Sequence, residues 1–300
     1  MSAVEPIDVI EPAPARPAGF ELRRAAPPGT PPPTPVIFAS PHSGRLYPDD
    51  MMAAAALDAR AIRRSEDAFV DQLVEAAPTA GAALITASYA RAYIDVNRDA
   101  FELDPGMFVD ELPDFARSRT ARVAAGLGAI AKVVSEGQEI YARKLTFAEA
   151  QDRIDGAHRP YHAALSQLIS EAQAAHGVAI LVDWHSMPSA AAKAAGAGGC
   201  DMVLGDRFGA SCANTLTRMV ELELETRGYR VVRNTPYAGG YTTEHYGRPT
   251  RRVHALQIEL NRALYLDEEA LAPTAAFAQL REDIQALTAA LTAEDWSRLR

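Results

Sequence analysis

Short apolar runs recur along the chain and predict buried β-strands. The first is VIFAS (36–40), which is rich in β-forming residues and is bounded by Pro35 and Pro41. Because nearly every residue of such a run is apolar, we expect strands that are covered on both faces. Further runs of this kind are ALITAS (83–88), YIDV (93–96), VAILVDW (178–184), DMVLG (201–205), YRVV (229–232) and VHALQIEL (253–260).

Apolar residues between these runs recur at spacings of three and four, which is typical of helices with one apolar face. The spacing predicts helices over 67–77, around 161–172 and around 277–291. Alternation of strands and helices favours a single α/β domain built on a mostly parallel sheet. The low-complexity stretch SAAAKAAGAGG (189–199) predicts a surface loop.

Prolines crowd the beginning of the chain, and the run GTPPPTP (29–35) cannot join a helix or a central strand. We therefore expect residues 1–35 to form a proline-rich, extended arm. Residues 36–300 are then one α/β domain that ends in a C-terminal helix. A chain of 300 residues with 48% hydrophobic side chains can bury one substantial core of this kind.

Charge and composition exclude several classes of function. The net charge of -9 and the absence of clustered Lys and Arg argue against nucleic acid as a partner. No stretch of about 18 apolar residues occurs, so we expect no membrane span. The start, MSAVEPIDVIEP, lacks the pattern of a secretory signal, which favours the cytoplasm. Cys200 and Cys212 are too far apart for a thiolate site, so a metal would need nitrogen and oxygen ligands.

Two predicted strands are each followed by a histidine: VIFASPHSG places His42, and AILVDWHSM places His185. Ligand sites in open α/β sheets form beyond the carboxyl ends of strands, so both imidazoles can reach one crevice. A single histidine in such a position more often caps a strand or packs under a loop, and only the pair favours a metal site. A catalytic zinc usually has three protein ligands. Glu66 and Asp67 in RSEDAFVD could supply the third, although acids at a helix start also favour the helix dipole.

Six motifs follow one another in the chain: SPHSG, a carboxylate before FVDQL, ARAYIDVNRD, DWHSM, GGYTTEHYGRP and ALQIELNRALYLDE. In this order, over about residues 36–270, they resemble the N-formylglutamate amidohydrolases. The resemblance implies a zinc carboxypeptidase-like architecture, with a mixed sheet and helices on both faces. It also implies zinc-dependent hydrolysis of N-formyl-L-glutamate to glutamate and formate. By position, the metal ligands would be His42, Asp67 and His185, with Glu66 as the alternative to Asp67.

Hydrolysis of an amide also needs a group that moves protons and a group that stabilises the oxyanion. Glu259 lies in the apolar run HALQIELNRALYL, where an acid must be paired or serve a function. We expect it to be the catalytic base, and a salt bridge to Arg262 or to a neighbouring arginine is the alternative. Arg98, which follows the predicted strand YIDV, is expected to stabilise the oxyanion unless it is a surface residue.

Several further residues are expected to bind the substrate. Arg91 offers a fork-shaped donor for a carboxylate, and Asn97 could add an amide contact. The loop NTPYAGGYTTEHYGRP, dense in Gly, Tyr and Thr, predicts a segment that covers the substrate. Its candidate hydrogen-bonding residues are Tyr241, Thr242 and His245. Asp183, two positions before His185, could orient that imidazole from outside the metal site.

The sequence leaves other functions open. A carboxypeptidase or a peptidoglycan-type amidase could use the same metal triad, and a non-catalytic relative could only bind the acylated amino acid. His158 and His162 have the spacing of a helical zinc pair, but H-E-x-x-H is absent and Pro160 intervenes, so we do not expect them to bind a metal. The expected partner is a small N-acyl amino acid, whereas the oligomeric state and the physiological metal stay open.

Overall fold

The computed structural model describes residues 17–134, 137–195 and 198–299. Its strands are β1 (Phe20–Arg23), β2 (Val36–Ser40), β3 (Ala83–Ala87), β4 (Ala179–Met187), β5 (Met202–Gly205), β6 (Val231–Arg233), β7 (Val253–Asn261), β8 (Leu266–Asp267) and β9 (Ala272–Pro273). Its α-helices are α1 (Asp49–Ala54), α2 (Ala59–Ile62), α3 (Val70–Leu73), α4 (Ala121–Ala124), α5 (Phe147–Arg153), α6 (Arg159–His176), α7 (Ser189–Ala194), α8 (Asn214–Glu225), α9 (Tyr241–Tyr246) and α10 (Phe277–Ala293). Within these ranges, no helix has both the length and the apolar character that crossing a membrane requires.

Seven strands form one sheet in the order β1-β3-β2-β4-β7-β5-β6. The central strands β3, β2, β4 and β7 run parallel to one another, while β1 and β5 pair antiparallel with β3 and β7. The strand β6 returns to a parallel pairing with β5. The predicted mixed, mostly parallel sheet is therefore confirmed. The carboxyl ends of β2, β4 and β7 meet at the same edge of the sheet.

Helices cover both faces of the sheet because alternate residues of each strand point to opposite sides. Val36 and Phe38 of β2 belong to the layer that contains the buried residues of α8 and α10. Ile37 and Ala39 of the same strand pack with the apolar face of α6 on the other side. These two layers confirm a single α/β domain with helices on both faces.

The predicted strand YIDV (93–96) is wrong. Tyr93 and Ile94 donate their amide hydrogens to the carbonyl of Ala90, which forms a turn. The Asp95 side chain then accepts from the amide of Asn97 at 2.9 Å. Local bonds of this kind satisfy the backbone in place of a strand ladder. The segment is consequently a turn, and it places polar side chains beside the ends of the strands.

Three other predicted segments differ in detail. The helix expected over 67–77 is the short α3 followed by a 3-10 turn at Ala77–Ala80. The loop expected over 189–199 begins with the helix α7. The arm expected over 1–35 includes β1, the edge strand that pairs with β3. Residues 1–16 of the expected arm lie outside the described residues. The domain boundary at residue 36 stays a prediction.

Leu165→Ala should destabilise the fold by about 2–5 kcal/mol. Leu165 is a fully buried residue of α6, so the change removes apolar contacts and leaves a cavity. Leu222→Ala is the matched control, since Leu222 on α8 is 46% exposed and should change stability by less than ~1 kcal/mol. Urea unfolding followed by circular dichroism measures both. Equal losses for the two variants would contradict the assigned packing of α6.

Candidate active site

Three strands of the parallel sheet bring buried polar side chains to one edge. His42 lies two residues beyond β2, and His185 lies near the end of β4. Glu259 on β7 is the direct cross-strand partner of His185. Asp67 joins them because its amide donates to the carbonyl of His42 at 3.0 Å. All four side chains are buried, so residues far apart in sequence form one polar centre.

His42, Asp67 and His185 form a group that could hold a metal ion, with their donor atoms within 4.8 Å of one another. Asp67 Oδ2 lies 3.0 Å from His185 Nδ1 and 3.4 Å from His42 Nδ1. Donor atoms bound at about 2.1 Å to one tetrahedral ion lie roughly 3.4 Å apart, which is close to both distances from Asp67 Oδ2. His42 Nδ1 is buried and has no hydrogen-bond partner among the described residues. The donor set therefore fits a divalent cation.

Two further carboxylates hold the outer nitrogens of the imidazoles. Asp95 Oδ1 accepts from His42 Nε2 at 2.7 Å, and Asp183 Oδ2 accepts from His185 Nε2 at 3.0 Å. A neutral imidazole that donates from Nε2 presents the Nδ1 lone pair on its other side. The sequence indicated Asp183 for this task but not Asp95. Asp95 lies in the turn that was predicted to be a strand, where a buried acid beside Asn97 and Arg98 was the available signal.

The charges around Asp95 and Asp67 keep both carboxyls ionised. Burial by itself would raise the pKa of Asp95, but Arg98, His42 and Arg91 outweigh it and hold the pKa well below its usual range. Burial likewise opposes ionisation of Asp67, but the adjacent His185 and His42 outweigh it and hold the pKa of that carboxyl well below its usual range. Both side chains are therefore acceptors under ordinary conditions.

Asp67, not Glu66, is the carboxylate at the centre. Glu66 turns away and accepts from the Tyr47 hydroxyl at 2.7 Å and from Arg63 Nε at 2.9 Å. Arg262 holds the backbone between them, since its Nη2 donates to the Glu66 carbonyl at 2.7 Å and to Asp67 Oδ1 at 3.1 Å. This leaves Asp67 Oδ2 directed at the two histidines.

Glu259 is buried at the edge of the cavity and is not the salt-bridge partner of Arg262. Its Oε1 accepts from Gln257 Nε2 at 2.7 Å, and within the described residues Arg262 donates to other acceptors. Burial raises the pKa of Glu259 to about 7, although His185 opposes the shift. A carboxyl with a pKa in this range can both accept and return a proton near neutral pH.

Arg91 and Arg98 reach the same carboxylate from the cavity wall. Arg91 Nη2 donates to Asp95 Oδ2 at 2.9 Å, and Arg98 Nη2 lies 3.7 Å from that oxygen. Arg98 is held further by the carbonyls of Leu127 and Asn97, which accept from its Nε and Nη1 at 2.8 and 2.7 Å. Both arginines are thus fixed beside the carboxylate that orients His42.

Asn97 is placed at the centre, but mainly as a bridge within the protein. Its Nδ2 lies 3.0 Å from His185 Nε2, and its Oδ1 accepts from the amide and hydroxyl of Thr242 at 2.7 and 2.9 Å. Thr242 is fully buried behind Asn97. Tyr241 and His245 line a neighbouring cavity and not the one that contains the histidines. Substrate contacts from these four residues stay predictions.

His158 and His162 support the turn that carries Asp95, Asn97 and Arg98. His158 Nε2 donates to the Arg98 carbonyl at 2.9 Å, and His162 Nε2 donates to the Val96 carbonyl at 2.8 Å. The Tyr246 hydroxyl donates to His162 Nδ1 at 2.8 Å. Burial, with the nearby His158, lowers the pKa of His162 to about 3, so its imidazole stays neutral. A π-helix at Ile154–His158 leads into this pair.

The polar centre opens into a cavity of about 480 Å³, a size suited to a small molecule. Among the described residues, five arginines and three acids line it, together with apolar side chains. Residues 236–240 of the loop expected to cover the substrate form part of the wall, and the covering role itself stays a prediction. Gly240 is required there, because an added Cβ would lie 2.5 Å from Asn97 Nδ2. A cavity of this charge favours an anionic ligand.

Known proteins with similar sequences are named N-formylglutamate amidohydrolases or deformylases. The model of a family described as N-formylglutamate amidohydrolase matches residues 34–266. An N-formylglutamate deformylase from Pseudomonas aeruginosa is 29% identical over 257 residues, which cover 84% of this chain and 89% of the relative. A protein of the same name from Pseudomonas putida is 30% identical over 237 residues, covering 78% and 82%.

A solved structure shows the same fold at higher identity. The crystal structure of N-formylglutamate amidohydrolase from Ralstonia eutropha JMP134 is 38% identical in sequence to this chain. It superposes with a TM-score of 0.85 and covers 92% of this chain and 97% of its own. The similarity thus extends over nearly the whole fold, including the strands that carry the polar centre.

Removal of the buried Arg262 guanidinium should destabilise the protein by about 3–5 kcal/mol, because Asp67 then loses its charge partner. Arg218→Ala is the control, since its ion pair with Glu221 is exposed on the arginine side and should contribute less than ~1 kcal/mol. Urea unfolding of the chelator-treated proteins gives both values. A loss below 1 kcal/mol for Arg262→Ala would show that Asp67 is not held as described.

Proposed function

The chain belongs to the N-formylglutamate amidohydrolase family, and from that premise we propose that it hydrolyses N-formyl-L-glutamate to glutamate and formate. The observation that carries the proposal is the buried group of His42, Asp67 and His185 beside Glu259, within an arginine-lined cavity. The group provides donors for a catalytic metal, Glu259 provides a proton acceptor, and the arginines complement a substrate with two carboxylates. The relatives named deformylases support the choice of the formyl group.

The metal in this proposal is a single zinc ion held by His42 Nδ1, His185 Nδ1 and Asp67 Oδ2. Two imidazole nitrogens and one carboxylate oxygen are a typical set for a catalytic zinc that keeps a position for water. When bound, zinc would polarise the formyl oxygen and lower the pKa of water. Asp95 and Asp183 contribute by holding the outer imidazole nitrogens, so that both Nδ1 atoms stay directed at the same point.

Glu259 carries the proton in the proposed reaction. It takes a proton from the water whose oxygen adds to the formyl carbon, and it gives that proton to the amide nitrogen as the C–N bond breaks. Formate and the free amino group of glutamate result. Gln257, which donates to one oxygen of Glu259, holds the carboxyl in place for both transfers.

The arginines hold the substrate and the developing charge. Arg98 is proposed to stabilise the oxyanion, and two carbonyls already fix the orientation of its guanidinium before substrate binds. Arg91 is proposed to bind the α-carboxylate, because its contact with Asp95 keeps it close to His42. The segment 236–240 excludes water above them.

Chelator-treated protein should bind one equivalent of Zn²⁺, and His42→Ala or His185→Ala should bind at least about 100-fold more weakly because a ligand is lost. His176→Ala is the control, since His176 contacts the Pro32 carbonyl and is not part of the donor group. Calorimetric titration and elemental analysis measure the binding. Unchanged zinc affinity in both ligand variants would reject this metal site.

Glu259→Gln should lower kcat for N-formylglutamate by about 10²–10⁴-fold while zinc content is unchanged, because the amide cannot accept the proton. Glu282→Gln, a change on the exposed face of α10, is the control and should keep the activity. Formate release measures the rate.

N-acetylglutamate and short peptides are assayed in parallel with N-formylglutamate, because relatives with the same metal triad could act on other amides. Hydrolysis of one of these without hydrolysis of N-formylglutamate would replace the proposed substrate. Zinc-loaded protein that hydrolyses none of them would favour a binding function.

A further inference from the structure

Arg122 lies in the wall between the cavity that contains the histidines and the neighbouring cavity, and it lines both. Its closest acidic contacts are Glu102 Oε2 at 3.8 Å and Glu244 Oε2 at 4.0 Å. Both distances are longer than a hydrogen bond, and the side chain is 32% exposed. The Arg122 guanidinium therefore keeps its donors available to a ligand.

Three other arginines of the same cavity are already engaged. Arg262 donates to Asp67 and to neighbouring carbonyls, and Arg98 donates to two carbonyls. Arg91 is bound to Asp95 at 2.9 Å. These contacts hold the three guanidiniums around the polar centre. Arg122 differs because, among the described residues, neither an acid nor a carbonyl lies within hydrogen-bond length of its guanidinium as an acceptor.

The local structure holds Arg122 in position without neutralising it. Arg122 is on the short helix α4, whose first turn is capped by Thr120: the hydroxyl accepts from the amide of Val123 at 3.1 Å. The same hydroxyl donates to the buried Glu102 at 2.5 Å. Glu102 is thereby directed at Thr120, and it attracts Arg122 only from a distance.

The wall around Arg122 fits the side chain of an acidic amino acid. Apolar residues of the same chain segment face the cavity with it, namely Leu127, Ala131, Val133 and Val134. Arg91 and Arg98 adjoin Asp95, which holds His42, so they lie close to the reacting amide. The α-carboxylate is close to that amide, whereas a side-chain carboxylate is separated from it by methylenes. An apolar wall that ends in a guanidinium matches the methylenes and the carboxylate of such a side chain.

We propose that Arg122 binds the side-chain carboxylate of the substrate and thereby selects acidic over neutral N-acyl amino acids. This inference rests on the proposed function and adds the residue that determines its specificity. A guanidinium that binds a carboxylate through two parallel hydrogen bonds discriminates strongly against an amide of the same shape, which offers one acceptor and no charge.

The test compares N-formylglutamate with N-formylglutamine, which has the same shape but a neutral side chain. Arg122→Gln should lower kcat/KM for N-formylglutamate by about 10- to 100-fold, mainly through KM, and leave N-formylglutamine nearly unchanged. Arg122→Lys should retain part of the preference because it keeps the charge but loses the fork. Arg117→Gln is the matched control, since Arg117 is 61% exposed and is not among the residues that line the cavity with the histidines.

Equal losses on the two substrates, or an unchanged preference for N-formylglutamate, would overturn the assignment of Arg122. If the unaltered protein hydrolyses neither substrate, the proposed function fails. The role of Arg122 is then tested separately, by measuring how the protein binds carboxylates. Calorimetry then compares glutarate, which has two carboxylates, with butyrate, which has one. Weaker binding of glutarate but not of butyrate to Arg122→Gln supports the assignment, and equal binding of glutarate to both proteins rejects it.

Discussion

The site depends on the requirement that a buried charge must have a partner, because moving an ion out of water costs several kcal/mol. Asp95 meets this requirement with three partners: its carboxylate accepts from His42, Arg91 and the amide of Asn97. One buried carboxylate therefore fixes an imidazole of the metal-binding group and an arginine of the cavity wall. Because these bonds share an acceptor, displacement of one member would weaken the support of the others, and the geometry is set before a substrate enters.

The α/β fold satisfies this requirement at one edge of its sheet. Parallel strands place their carboxyl ends together, so β2 and β4 deliver one histidine each and the register of β7 against β4 sets Glu259 opposite His185. The remaining groups come from turns, which regular strands could not supply in the same directions. His158 and His162 hold one of these turns by its carbonyls, so a helix on one face of the sheet stabilises the polar centre.

Family membership and geometry support different parts of the proposed function. The matching family and the similar deformylases indicate hydrolysis of a formyl amide. The geometry indicates how a chain with a net charge of -9 can bind an anion: arginines are concentrated in the cavity. Arg91 and Arg98 are fixed near the reacting bond, whereas Arg122 is held apart with its donors available. Arg91 and Arg98 would thus serve the reaction itself, whereas Arg122 would give the preference for acidic substrates.

The sequence by itself determined the α/β class, most strands, the two major helices and the two histidines, because apolar periodicity and strand ends are local signals. It erred at 93–96, where side-chain bonds to the backbone outweigh strand propensity. Only the tertiary structure decided between Glu66 and Asp67, since adjacent acids have the same local signal and differ in what surrounds them. It alone also revealed Asp95 and Arg122, because the partners that give a charged side chain its function are distant in sequence and become neighbours only when the chain folds.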